Sequence, residues 1–184
     1  MNKNESNKPY NTLFLDRDGV INVRNFDGYI TSKEDFKFNS NVIEGLQLLS
    51  PLFDRIIVVT NQQCIAKNIL SKSNLDAIHR YMLQMLETNN IHIAAVYVAE
   101  NLKGAANDRR KPLPVMGIEA QLYYPAIDFE NSWMVGDTDS DIKFGMNLGM
   151  HTAAIKSKEQ LMLSPSLLVD DLVELYQKIK NIYP

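Results

Sequence analysis

The apolar positions fall into short runs separated by longer stretches with helical spacing. Leu13-Phe14-Leu15 is a short apolar run ending at Asp16, which predicts a buried strand. Val42, Ile43, Leu46, Leu49 and Phe53 recur at helical spacing, with Asn39 or Ser40 placed to cap that helix. The β-branched run 56–59 predicts a second strand, ending at Thr60. Ser73 and Asp76 match a capping box, and Leu75, Ile78, Met82 and Met85 then line one helix face. A third strand is predicted over 93–98, a short helix over 115–124, and a fourth strand at Trp133-Met134-Val135, closed by Gly136. Ile142 and Met146 mark a helix stopped by Gly149. A fifth strand is predicted over 152–155. Leu168, Leu172, Leu175, Tyr176 and Ile179 give a final helix over 167–181 its apolar side.

Strands alternating with helices predict an α/β fold of Rossmann-like, doubly wound type, with a mostly parallel sheet of about five strands and helices on both faces. Residues 1–10 read as a flexible N-terminal tail and 11–184 as a single domain, in keeping with roughly 150 residues per domain. Two stretches lack a clear period, 22–38 and 100–114, and are read as loops, the first with room for a small hairpin. In such a sheet the functional crevice lies beyond the carboxyl ends of the strands, at the point where strand order reverses.

Composition changes the picture little. Of 184 residues, 45% are apolar and 22% charged, which is ordinary for a globular chain. No apolar run approaches the ~18 residues of a membrane span, and the polar start offers no signal sequence, so a cytoplasmic location is expected. With 19 basic and 22 acidic residues there is no basic excess of the kind nucleic-acid binders carry. The single cysteine, Cys64, reads as a small packed side chain. The three histidines, His79, His92 and His151, are too scattered to pair as metal ligands and read as structural or surface residues.

The polar residues at the strand ends carry the chemistry. The first predicted strand ends in Asp16-Arg17-Asp18-Gly19, the second in Thr60-Asn61-Gln62, and the fourth in Gly136-Asp137, followed by Thr138-Asp139-Ser140-Asp141; the loop after the third holds Arg110-Lys111-Pro112. The fold brings these four segments to one edge. Asp16, Asp18 and Asp137 would then repel one another at close range unless neutralised. Lys111 supplies one positive charge, and an oxygen-seeking dication such as magnesium would supply two more. Without thiols or paired histidines, zinc is a poor fit. An aspartate can attack phosphorus to form an acyl-phosphate, and a second carboxyl two residues on can carry the proton. A hydroxyl, an amide and a lysine can hold the phosphoryl oxygens.

These segments, Asp16-Arg17-Asp18-Gly19-Val20-Ile21, Thr60-Asn61-Gln62, Lys111-Pro112 and Gly136-Asp137 with Asp141, resemble the motifs of the haloacid dehalogenase superfamily of phosphatases. Gly28-Tyr29-Ile30, Phe36-Lys37-Phe38 and Arg110-Lys111-Pro112 are similar to its subgroup of histidinol-phosphate and D-glycero-D-manno-heptose 1,7-bisphosphate phosphatases. The resemblance implies Asp16 as nucleophile and magnesium ligand. It implies Asp18 as general acid/base, also meeting the metal through its backbone carbonyl, with Asp137 as a further ligand. It implies Thr60 and Asn61 as phosphoryl-binding residues, Lys111 as a catalytic charge, Arg110 as a substrate contact and Asp141 as a supporting acid.

Three positions depart from the subgroup. No cysteine or histidine occurs between Ala99 and Arg109, so the subgroup's zinc loop is absent and no zinc is expected. Cys64 stands where glycine is usual, and Thr138 where a basic residue is common. Only 44 positions separate Asp16 from Thr60 and 51 separate Thr60 from Lys111, which leaves no room for a large cap domain. The 22–38 and 100–114 loops are therefore expected to select the substrate. The expected substrate is a small phosphorylated metabolite. A sugar bisphosphate such as the heptose bisphosphate comes first, histidinol phosphate second, and a nucleic-acid terminal phosphate third. A phospho-acceptor signalling domain would place its acceptor aspartate after the third strand, which here ends at Val98-Ala99. A catalytically idle interaction protein is countered by the full set of core residues.

Overall fold

The computed structural model describes residues 8–182. Six strands form one sheet: β1 (Tyr10–Leu15), β2 (Phe53–Asn61), β3 (Ala95–Ala99), β4 (Trp133–Gly136), β5 (His151–Ile155) and β6 (Leu167–Val169). Their spatial order is β3-β2-β1-β4-β5-β6, and every neighbouring pair is parallel. Strand order reverses between β1 and β4, the chain running outward from β1 to β2 on one side and from β4 to β5 on the other. The carboxyl ends of β1 and β4 thus border the crevice that such a reversal opens.

Five helices cover the sheet: α1 (Val42–Leu49), α2 (Lys72–Thr88), α3 (Val115–Tyr123), α4 (Asp139–Leu148) and α5 (Leu172–Ile179). The central strands are apolar on both faces, as a parallel sheet buried on two sides requires. Leu13 and Leu15 of β1, Ile56 and Val58 of β2, and Trp133 and Val135 of β4 pack with α1, α2 and α5. The intervening residues Phe14, Ile57, Val59 and Met134 pack on the other face with Met116 and Ala120 of α3 and Phe144 of α4. The hydroxyl of Tyr10 donates to the Ile179 carbonyl at 3.0 Å and ties the first strand to the last helix.

Several boundaries differ from those the sequence pattern suggests. Tyr10, assigned by the sequence to the tail, opens β1 and is buried; residues 1–7 lie outside the described residues. The region read as one helix over 167–181 divides into β6 and α5, which adds a sixth strand and puts Leu168 on it. Phe53 begins β2, reached from α1 through a 3-10 turn over Ser50–Leu52. Neither Asn39 nor Ser40 caps α1: Asn41 takes that place with φ 60°, and no side chain caps there. Helix α2 is capped by Ser71, whose Oγ accepts from the Asn74 backbone N–H, not by Ser73. The 22–38 segment is closed at its base by a bridge between Asn22 and Phe38.

Helices α1 and α5 cross where Gly45 meets Leu172. A Cβ at position 45 would lie 2.4 Å from Leu172 Cβ and 2.9 Å from the Leu172 backbone carbon. Helix propensity favours alanine over glycine by about 1 kcal/mol, whereas overpacking against backbone costs roughly 1–3 kcal/mol. We expect packing to win, with Gly45→Ala lowering Tm by roughly 2–8 °C. A Tm at or above that of the wild type in a thermal melt would show that the helices separate freely.

Candidate active site

Asp16 follows directly on β1, where its backbone N–H donates to the Val135 carbonyl at 2.9 Å and fixes it beside the end of β4. Asp137 follows directly on β4, and Asp141 lies in the first turn of α4. Single carboxylate oxygens of Asp16, Asp137 and Asp141 all lie within 4.8 Å of one another, and all three residues are buried. Lys111, itself buried, reaches into this cluster. Its Nζ lies 2.7 Å from Asp16 Oδ1 and 2.6 Å from Asp141 Oδ1, and it donates to the Val59 carbonyl at 2.7 Å.

Each of these side chains has a local reason for its position. The other oxygen of Asp141 caps α4, accepting from the Thr138 backbone N–H at 3.1 Å and its hydroxyl at 2.6 Å. Asn61, at the end of β2, grips the backbone of Lys111 at two points: its Oδ1 accepts from the Lys111 N–H at 2.9 Å and its Nδ2 donates to the Lys111 carbonyl at 3.1 Å. Gly19 lets the chain pass over Asp137. With φ +99°, a backbone region glycine alone adopts readily, it lies so close that a Cβ would fall 2.3 Å from Asp137 Cγ.

The second aspartate of the motif has a different environment. Asp18 accepts from Arg17 Nη2 at 2.9 Å on each oxygen, from Asn22 Nδ2 at 2.9 Å and from Gln62 Nε2 at 2.7 Å. Burial pushes its pKa up, but the Arg17 charge and these donors outweigh burial and hold it below the usual carboxylate range. Asp16 shows the opposite balance. Burial and repulsion from Asp141, Asp137 and Asp18 raise its pKa against the pull of Lys111. Burial, then Asp141, raises Asp137 to about 6, with Arg24 opposing. Burial works against the charge of Lys111, but Asp141 and Asp16 more than offset it and raise its pKa.

A cavity of about 440 Å³ opens over this edge. Asp16, Asp18, Thr60, Asn61, Arg110 and Lys111 all line it, together with the 24–30 segment. Asp137 stands behind Arg24, on the wall of a neighbouring cavity of about 240 Å³. Arg24 Nη1 donates to Asp137 Oδ2 at 3.1 Å, and Arg24 Nη2 pairs with Glu159. All eight site residues named from the sequence therefore come to one edge, seven of them, Asp141 included, on a single cavity. Five residues with no role assigned from the sequence join them: Arg17, Asn22, Arg24, Gln62 and His79. Cys64 and His79 are buried, in keeping with their reading as packed or structural side chains.

Asp137 Oδ1 is buried without a hydrogen-bond partner among the described residues. A buried carboxylate with an orphaned oxygen, clustered with two further carboxylates that each bring one oxygen within 4.8 Å of the others, is the donor set a hard, oxygen-seeking dication takes. Asp16 and Asp137 would hold such an ion, with Asp141 beside them.

A family model described as HAD-hydrolase-like matches residues 108–175. The chain is 31% identical over 148 residues to D-glycero-alpha-D-manno-heptose-1,7-bisphosphate 7-phosphatase of Campylobacter jejuni, covering 80% of this chain and 83% of that one. It is 29% identical over 157 residues to D-glycero-beta-D-manno-heptose-1,7-bisphosphate 7-phosphatase of Helicobacter pylori, covering 85% and 84%. A crystal structure of the D,D-heptose 1,7-bisphosphate phosphatase of B. bronchiseptica, complexed with magnesium and phosphate, superposes with a TM-score of 0.82 at 21% identity, covering 92% of this chain and 97% of that one.

Two outcomes follow from this geometry. Asp137 binds its proton more tightly folded than unfolded, so its contribution to stability is full below about pH 4 and is lost as pH rises through about 6. A cation bound at this cluster would take the place of that proton. Magnesium should therefore raise Tm little at pH 5 and much more at pH 8, its affinity growing about tenfold per pH unit for each proton displaced below the raised pKa. Melts in chelator and in magnesium across this range measure the difference, and a pH-independent shift would refute it. Gly19→Ala should abolish the magnesium-induced shift at pH 8, because its Cβ occupies the space of the Asp137 carboxylate. A retained shift would place the ion elsewhere.

Proposed function

The chain belongs to the haloacid dehalogenase superfamily of phosphatases, and on that premise we propose that it is a magnesium-dependent phosphomonoesterase that removes one phosphate from a sugar bisphosphate. The best-supported substrate is D-glycero-D-manno-heptose 1,7-bisphosphate, cleaved at the 7-phosphate through an aspartyl-phosphate on Asp16. The observation carrying this reading is the meeting of Asp16, Asp137 and Asp141 within 4.8 Å, with Lys111 bridging Asp16 and Asp141.

Magnesium, when bound by Asp16, Asp137 and the Asp18 backbone carbonyl, supplies positive charge that neutralises the phosphoryl oxygens and lets a carboxylate approach them. The residues of the chain do the rest. Asp16 Oδ1 is engaged by Lys111 Nζ and by the Arg17 backbone N–H at 2.8 Å, which leaves Oδ2 to attack phosphorus. Thr60 and the Asn61 side chain border the cavity and orient the phosphoryl oxygens, while Lys111 balances the charge that moves between nucleophile and phosphate. Asp18 is ionised at rest. An incoming phosphate brings negative charge beside it and raises its pKa, so that Asp18 arrives at the leaving oxygen carrying a proton. The same carboxylate, then ionised, takes a proton from the water that hydrolyses the acyl-phosphate. Arg110 Nη1 is buried without a partner among the described residues, and it offers a donor to a second anionic group on the substrate.

The heptose reading is supported by the names and coverage of the relatives and by the unpartnered Arg110 nitrogen on a residue lining the cavity. Histidinol phosphate, with one phosphate, leaves Arg110 unused. Phosphate release from the heptose bisphosphate, other sugar bisphosphates, sugar monophosphates and histidinol phosphate, with magnesium and with chelator, tests the assignment. We expect the heptose bisphosphate to give the highest kcat/KM and chelator to stop turnover. Asp16→Asn, folded by thermal melt, should lose at least roughly a thousandfold in kcat. A higher kcat/KM on histidinol phosphate would reassign the substrate, and an active Asp16→Asn protein would overturn the mechanism.

A further inference from the structure

Arg17 is a fully buried cation. Two groups accept from its guanidinium: the Asp18 carboxylate, and Nε2 of His79, which lies 3.0 Å from Arg17 Nη1. Arg17 Nε has no partner among the described residues. His79 belongs to α2, is only 8% exposed and does not line the cavity over Asp16. To accept from a guanidinium, His79 must be neutral with its proton on Nδ1. Burial, followed by the Arg17 charge, pushes its pKa down to about 4, which agrees with that state.

We infer that His79 is a positioning residue for the proton transfer: it anchors the Arg17 guanidinium, which in turn sets the direction of the Asp18 carboxylate. The inference rests on the reading of Asp18 as the proton carrier. The physical argument concerns a long side chain with few acceptors. A guanidinium held at both ends, by His79 on Nη1 and Asp18 on Nη2, has one orientation. With His79 removed, Nη1 has no buried acceptor, the fork pivots to find one, and Asp18, bound through both oxygens to Nη2, follows it. Gln62 Nε2 links Asp18 Oδ2 to Thr60 Oγ1, at 2.7 and 2.8 Å, so a displaced carboxylate also disturbs the donor set at the end of β2. A misdirected acid penalises only reactions that need its proton. A sugar alkoxide must be protonated as its bond to phosphorus breaks, whereas a nitrophenolate leaves without help.

The test compares His79→Leu, which removes the acceptor, with His79→Gln, which retains an amide oxygen, on a sugar phosphate and on p-nitrophenyl phosphate. We expect His79→Leu to lose about tenfold or more in kcat/KM on the sugar phosphate and less than about twofold on p-nitrophenyl phosphate. His79→Gln should recover most of the loss, and the magnesium-induced Tm shift should be unchanged in both. If His79→Leu does not fold, His79→Asn, whose shorter amide falls short of Arg17, takes its place against His79→Gln. Equal losses on both substrates, or none on either, would reduce His79 to a packing residue and overturn the inference. Asp18→Asn is measured alongside. If it too lacks leaving-group dependence, the proton-carrier reading of Asp18 falls and this inference with it; if only the His79 variants lack it, this inference falls alone.

Discussion

Three carboxylates occupy the space of one ion. At 4.8 Å and an effective dielectric of ~20, each pair of ionised groups repels by about 3–4 kcal/mol. Lys111 meets two of the three, and Arg24 meets the third while also serving Glu159. Burial keeps water from screening what is left. The cluster therefore has two ways to lower its energy, protons or a dication, and the raised pKa values of Asp16 and Asp137 express the first. A site that favours protons in the absence of metal is one in which metal binding and proton release are the same event.

Strand order and backbone shape make this crowding attainable. The first and fourth strands are neighbours at the point of reversal, so residues leaving their carboxyl ends must converge. Glycine at position 19 removes the side chain that would hold the two turns apart. The charges are then divided among three networks, with Arg24 serving Asp137. Lys111 serves Asp16 and Asp141, and Arg17 serves Asp18. The separation allows two aspartates only two positions apart to hold opposite tendencies, one reluctant to ionise and one eager to. The proposed chemistry needs that difference, since one group must bind metal and attack while the other exchanges a proton with solvent and substrate.

The strand ends were legible because each apolar run stops at a polar residue, and a parallel sheet sends those stops to one edge. Other features lacked a local signal. The three residues of β6 are too few to show a period, and Leu168 happens to stand four positions before Leu172, which mimics a helix face. Asn11 and Thr12 interrupt the apolar run of β1, yet Thr12 is fully buried, its N–H taken by Ser132 Oγ at 3.2 Å, so the strand runs further back than its hydrophobicity suggests. Asn39 had the composition of a cap, but its amide donates instead to the carbonyls of Gly19, Val20 and Asn22. Arg24, Gln62 and His79 act through partners at least 44 positions away, and no local pattern marks them.

The same asparagine explains how a chain without a large cap can hold a specific surface over its site. Three donated bonds from Asn39, with the Val23 N–H to the Lys37 carbonyl and the Asn39 N–H to the Ile21 carbonyl, fasten both feet of the 22–38 segment. Phe36 packs edge-on against Phe38 and against Tyr81 of α2, so the feet are also anchored in the core. The tip is held differently: Phe26 is exposed and lies under the cations of Arg24 and Lys158, and Tyr29 accepts a bond from Lys67 at the surface. Firm feet fix where the tip stands over the cavity, while a tip made of exposed aromatic and charged groups can change its residues at small cost to the core. Arg24 is the exception within the segment: its bond to Asp137 ties it to the crowded carboxylates, so changes at the tip spare them only where Arg24 is kept.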